Sequence, residues 1–80
     1  MDIKLKPLTV VVDYDQANDR AAITLRNDQG MVVEGPLVHY HLNDRGATTP
    51  EETINNHLVQ IKRLFNVVKL DSNMPGIELK

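Results

Sequence analysis

The chain has no cysteine, no tryptophan and only three aromatic residues in 80, namely Tyr14, Tyr40 and Phe65. Without cysteine there is no disulfide and no thiolate metal site. This is compatible with a reducing, cytoplasmic location, which is the one expected. With so few aromatics the core has to rest on Val, Leu and Ile. Charge of one sign is scarce too, with nine Lys and Arg against eleven Asp and Glu and a net charge of -2. Nucleic-acid binders usually carry a basic surplus that displaces counterions from phosphates, so nucleic acid is a disfavoured partner. Lys62, Arg63 and Lys69 are scattered late in the chain, where they suit the negative end of a helix. No stretch approaches the roughly 20 apolar residues that span a bilayer, and no membrane contact is expected. The start, Met1 to Lys6, carries charges where a secretory segment needs an apolar run. The four glycines form no G-x-G-x-x-G and no phosphate-cradling loop. Ser72 is the only serine, so nucleophilic catalysis has little to stand on.

What is present reads as one small α+β domain over residues 1–80. A chain this short hides a smaller share of its surface than a larger domain does, and its core is marginal without a staple or a partner. Leu8 to Tyr14 alternates, with Leu8, Val10, Val12 and Tyr14 on one face and Thr9, Val11 and Asp13 on the other. That period of two in a β-branched run predicts a strand. Asp15 to Asp19 is a polar turn. Arg20 to Arg26 alternates again, with Ala21, Ile23 and Leu25 opposed to Arg20, Ala22, Thr24 and Arg26. Asn27-Asp28-Gln29-Gly30 then closes a hairpin. Met31 to Leu42 is expected as a third strand, bent or bulged at Gly35-Pro36. Beyond the bend Val38, Tyr40 and Leu42 are assigned to the core side, and Leu37, His39 and His41 to the reverse.

Thr49-Pro50-Glu51-Glu52 is a helix start, with Thr49 as cap, Pro50 at the first helical position and Glu52 reaching back. Ile54, Leu58, Ile61, Phe65 and Val68 recur at spacings of four, three, four and three, which predicts one amphipathic helix from Pro50 to about Val68. Pro75-Gly76 marks a turn, after which Ile77 to Lys80 is either a short final strand or a loose tail. The expected fold is therefore α+β: a three-stranded antiparallel meander with one helix on one face. The expected core is Leu8, Val10, Val12, Tyr14, Ala21, Ile23, Leu25, Val38, Tyr40, Leu42, Ile54, Leu58, Ile61 and Phe65.

One helix covers one face of a sheet. The bare face, expected to carry Val11, Thr24, Leu37, His39 and His41, and the unpaired strand edges are the candidate contact surfaces. The leading expectation is a non-enzymatic protein-binding or regulatory module, accessory or inhibitor-like, with another protein or a second copy as partner, a homodimer included. The alternative is a nucleic-acid module using Arg20, Thr24 and Arg26 on the sheet face. A third reading is a small metal-dependent or acid–base enzyme. His39 and His41, two apart on a strand, resemble the paired histidines of the cupin metal motif. Val33 stands where that motif needs glycine, and Asn43, Asp44 and Arg45 stand where it needs glutamate. His57 is expected on the wrong side of the sheet to join them. Asp13, Asp15 and Asp19 form an acidic cluster that fails the EF-hand spacing and suits a turn. No cofactor, metal ligand or catalytic residue is assigned.

Overall fold

The computed structural model describes residues 6–44, 46 and 48–79. Met1 to Leu5, Arg45, Ala47 and Lys80 lie outside them, and with them the charged start weighed against a secretory segment and the last residue of the Ile77 to Lys80 segment.

Three strands come first: β1 (Leu8–Asp15), β2 (Arg20–Arg26) and β3 (Val32–His39). Then come a short 3-10 turn at Leu42–Asp44, the helix α1 (Pro50–Leu64) and a fourth strand, β4 (Val67–Ser72). The sheet order is β3-β2-β1-β4, with β1–β2 and β2–β3 antiparallel and β1–β4 parallel. The meander and the single helix are as the periodicities predict. Because β3 and β4 are the two opposite edges, α1 has to cross over the central pair to connect them.

The helix starts as its residues dictate. Thr49 is the cap, its hydroxyl accepting from the Glu52 backbone N–H at 3.2 Å, and Pro50 opens the first turn. It ends earlier than its apolar stripe suggests. Phe65 caps it with φ -134° and ψ 154°, so Val67 and Val68 belong to β4 and not to the helix. A pair of β-branched residues beside the free edge of β1 gains more from a ladder than from another helical turn. Leu8 N–H donates to the Asn66 carbonyl at 2.9 Å, which starts the β1–β4 pairing. The final strand is thus residues 67–72. Ile77 and Leu79, open between a short strand and a loose tail from sequence, pack as a tail against the core.

The buried core is Leu8, Val10, Val12, Ala21, Ile23, Leu25, Leu42, Ile54, Leu58, Val67 and Met74. Leu42, Ile54, Leu58, Val10 and Val12 are the largest fully enclosed side chains, each contributing about 1.5–3 kcal/mol by leaving water. Tyr14, Ile61, Phe65 and Leu70 pack on the margin. Two expected core members do not belong: Val38 is half-buried and Tyr40 is exposed.

Side-chain bonds bind the loops to this frame. The Asn73 side chain accepts from Tyr14 N–H at 2.7 Å and donates to the Tyr14 carbonyl at 3.0 Å, prolonging the β1–β4 edge by one rung. The Asp19 carboxylate accepts from the Asn43 backbone N–H at 2.9 Å and from its side-chain amide at 2.6 Å, tying the β1–β2 turn to the 3-10 turn. No helix among the described residues is long and apolar enough to cross a membrane.

Candidate functional site: the β3 edge and its cleft

Residues that face each other across an antiparallel pair point to the same side of the sheet. Ala21 faces His39, Ile23 faces Leu37 and Leu25 faces Glu34. Ala21, Ile23 and Leu25 are buried under the helix. Leu37 and His39 therefore lie on the helix side and not on the open face that unbroken alternation from the bend to Leu42 predicts. The reason is local. The β3 strand stops at His39, His41 turns with φ 56°, and Leu42 reaches the core from the 3-10 turn. The parity of Leu42 carries no information about Val38 or Leu37. His41 accordingly does not continue a shared strand face with His39. His57, expected on the wrong side of the sheet, is the residue that His39 meets. Their ring centroids are 4.0 Å apart and their planes are inclined by 46°.

The β2–β3 pairing is irregular twice, between Ile23 and Leu25, where Gly35 and Pro36 lie on the β3 side, and between Leu25 and Arg26, where Val33 does. Gly35 has φ +97°, and a Cβ there would stand 2.7 Å from the Ile23 carbonyl oxygen. Only glycine lets β3 approach β2 this closely at such an angle.

The two flanks of the helix are not alike. Asn55 and His57 lie about 200° apart on the helical wheel, on either side of the Ile54–Leu58–Ile61 stripe. On the Asn55 flank the chain's own tail fills the space between helix and sheet edge. The Asn55 side chain donates to the Gly76 carbonyl at 3.3 Å and accepts from Glu78 N–H at 3.1 Å, and Met74 is buried beneath. On the His57 flank no segment among the described residues plays that part. A cleft of about 460 Å³ opens there, lined by Ile23, Leu25, Glu34, Gly35, Pro36, Leu37, Ile61 and Phe65. The His39–His57 ring pair stands at one end of the helix–β3 boundary. Leu64, two turns after His57, is 67 % exposed at the rim.

The β3 strand is itself the sheet's apolar edge. Residues 32–37 are all exposed, and Met31, Val32, Val33 and Leu37 present large apolar side chains with Glu34 the one charge among them. The β4 edge differs, since Lys69 and Asp71 interrupt it. Charges on an edge strand oppose pairing with another chain, and a long apolar edge invites it.

The open face holds two of the expected contact residues, Val11 and Thr24, which are half-buried partners across β1–β2. The residues of the nucleic-acid reading lie there too but are locally engaged. Arg20 is 3.5 Å from the Asp15 carboxylate, and Arg26 donates to the Gly30 carbonyl at 2.8 Å. By register, Asp13, Asp15 and Asp71 share this face with Arg20, Arg26 and Lys69, so its charge is balanced. A shallow recess of about 250 Å³ sits there, among Asp13, Asp15, Arg20, Ala22, Val38 and Tyr40. The Asp15 carboxyl is held below its ordinary value of 3.8, first by the Asn18 side-chain amide and then by the Asn18 backbone N–H. Among the described residues no three His, Asp or Glu side chains gather closely enough to hold a metal ion.

Sequence reasoning named the strand edges but missed the cleft and the His39–His57 contact. Both depend on how far α1 extends and on the phase of β3 after Gly35. Comparison with protein-family models, with curated proteins and with solved structures finds no match to this chain.

Proposed function

We propose that this chain is a non-enzymatic protein-binding or regulatory module whose working surface is the β3 edge together with the cleft beside it. The observation that carries the reading is the asymmetry of the two flanks: the tail closes the Asn55 side, and the β3 side stays open and apolar. An extended partner segment can add main-chain hydrogen bonds along β3. Its side chains can fill the space over Leu37, Ile61 and Phe65. A cleft of this size with an apolar lining and few polar groups has the character of a binding site. Leu37, His39 and Glu34 are the residues on which recognition rests. Val11 and Thr24 sit on the far side of the sheet and take no part in it.

The test is a photo-crosslinking residue placed at Leu37, with Asp71 as the control on the opposite edge. The labelled proteins are exposed to extract of the source cells and adducts are read by mass spectrometry. An adduct to protein, be it this chain or another, formed at Leu37 and absent at Asp71 supports the reading. No adduct at Leu37, or equal adducts at both positions, overturns it.

A further inference from the structure

We infer that the occupant of the β3 edge is a second copy of this chain, paired antiparallel about a two-fold axis near Pro36 and Leu37. The inference rests on the proposed binding surface and names its partner.

The charge pattern selects this occupant. A two-fold interface brings each residue close to its own copy, so a charge near the axis meets its like. Between Val32 and His39, Glu34 is the one acidic residue and there is no Lys or Arg. With the axis at Leu37, and Gly35 and Pro36 together opposite Val38 of the other copy, the two Glu34 residues stand four ladder positions apart, about 13 Å at roughly 3.3 Å per position, beyond serious repulsion. The same register sets Glu34 of each copy opposite His39 of the other. Both residues lie on the helix side of the sheet by their pairing with Leu25 and Ala21. The strand is therefore self-complementary, with an acid at one end, an imidazole at the other and apolar residues between. A strongly acidic partner would find no Lys or Arg to pair with here.

The surroundings agree. The flank of α1 that faces this edge carries Thr53, His57, Gln60 and Leu64, none of them a carboxylate or an ammonium. Antiparallel β3 strands would set the two helices side by side on one face of an eight-stranded sheet. That covers Leu37 and brings the two Leu64 rims toward the same seam. Pairing of β3 with β4 of another copy would leave a further β3 free and propagate without closing. The charges of Lys69 and Asp71 oppose that arrangement.

The experiment is light scattering after size exclusion, from about 1 to 100 µM, on the wild type, Leu37→Arg and Val68→Arg. Leu37 is 52 % exposed and Val68 is 60 % exposed, so both variants keep the fold, which thermal melting verifies. The wild type is expected at twice 9.0 kDa, about 18 kDa. Leu37→Arg is expected at 9.0 kDa, with association weakened at least about tenfold because it buries like charges near the axis. Val68→Arg, on the other edge, should match the wild type. In this cysteine-free chain Leu37→Cys is expected to give a disulfide-linked pair on mild oxidation, and Val68→Cys none. A wild type that is monomeric throughout overturns the second copy. So does a dimer lost in Val68→Arg and kept in Leu37→Arg. With a monomeric wild type the binding reading is decided separately: a Leu37 adduct with a different protein keeps it, and no adduct at Leu37 overturns it as well.

Discussion

His39, the last residue of β3, lays its imidazole against that of His57 on α1, with ring centroids 4.0 Å apart. This contact joins the edge strand to the helix on the flank that the tail does not reach. Removing it in His57→Ala should cost about 0.5–1.5 kcal/mol, the usual worth of a ring pair. Urea unfolding measures the loss. Cross-relaxation between the two ring protons in the wild type reports the contact directly. Unchanged stability and no cross-peak would show that the helix and β3 do not meet there.

Gly35 controls how closely β3 lies to β2. With φ +97° and the Ile23 carbonyl oxygen 2.7 Å from any Cβ, Gly35→Ala must shift the strand and is expected to cost about 1–3 kcal/mol. Gly30 also has a positive φ, +81°, but nothing lies within 4 Å of its would-be Cβ. Gly30→Ala should therefore cost less. Equal midpoints for the two variants would contradict the close approach.

Asn73 takes over the β1 edge where β4 ends, through its two bonds to the Tyr14 backbone. Asn73→Ala leaves both Tyr14 groups to water and should cost about 1–2 kcal/mol. The amide of Tyr14 should exchange faster in the variant, with amides of β2 little changed. Uniform acceleration across the sheet would mean that Asn73 acts on the whole fold and not on this rung.

Asp15 links the turn to pH. Its carboxyl is held low mainly by the Asn18 side-chain amide, so its folded value lies below its unfolded one. A depressed acid stabilises the fold above the unfolded value and loses that contribution as pH falls through the folded one. The carboxyl is more than a third exposed, so the effect is small and solvent-screened. Carboxyl titration by NMR should place the Asp15 midpoint below 3.8. The stability difference between the wild type and Asp15→Asn should shrink below about pH 4. A midpoint at or above the ordinary value would remove the Asn18 bonds from the account.

The layers of this fold were legible where one physical signal acted alone. The alternation from Leu8 and from Arg20 placed Val10, Val12, Ala21, Ile23 and Leu25 in the core, because nothing interrupts the pleat of β1 or β2. The Thr49-Pro50 start located the helix because capping is a local chemistry. The helix end was not legible, since Phe65 and Val67-Val68 continue the helical spacing. Pairing with β1, sixty residues away in sequence, decided it. The face of Leu37 and His39 was lost for a similar reason. Alternation from the Gly35-Pro36 bend through to Leu42 treats as one strand a segment that the left-handed turn at His41 interrupts. The cleft followed from neither pattern, because it is a gap between two elements and depends on where the tail runs.

Amide exchange along β3, followed from about 10 to 500 µM protein, tests the central claim most directly. Edge amides that reach outward exchange freely until another strand pairs with them. The account predicts that protection within residues 32–39 rises with concentration, that it does so in the wild type and not in Leu37→Arg, and that β4 stays unaffected. Protection that gathers on β4, or exchange along β3 indifferent to concentration while Leu37 crosslinks to nothing, would contradict it.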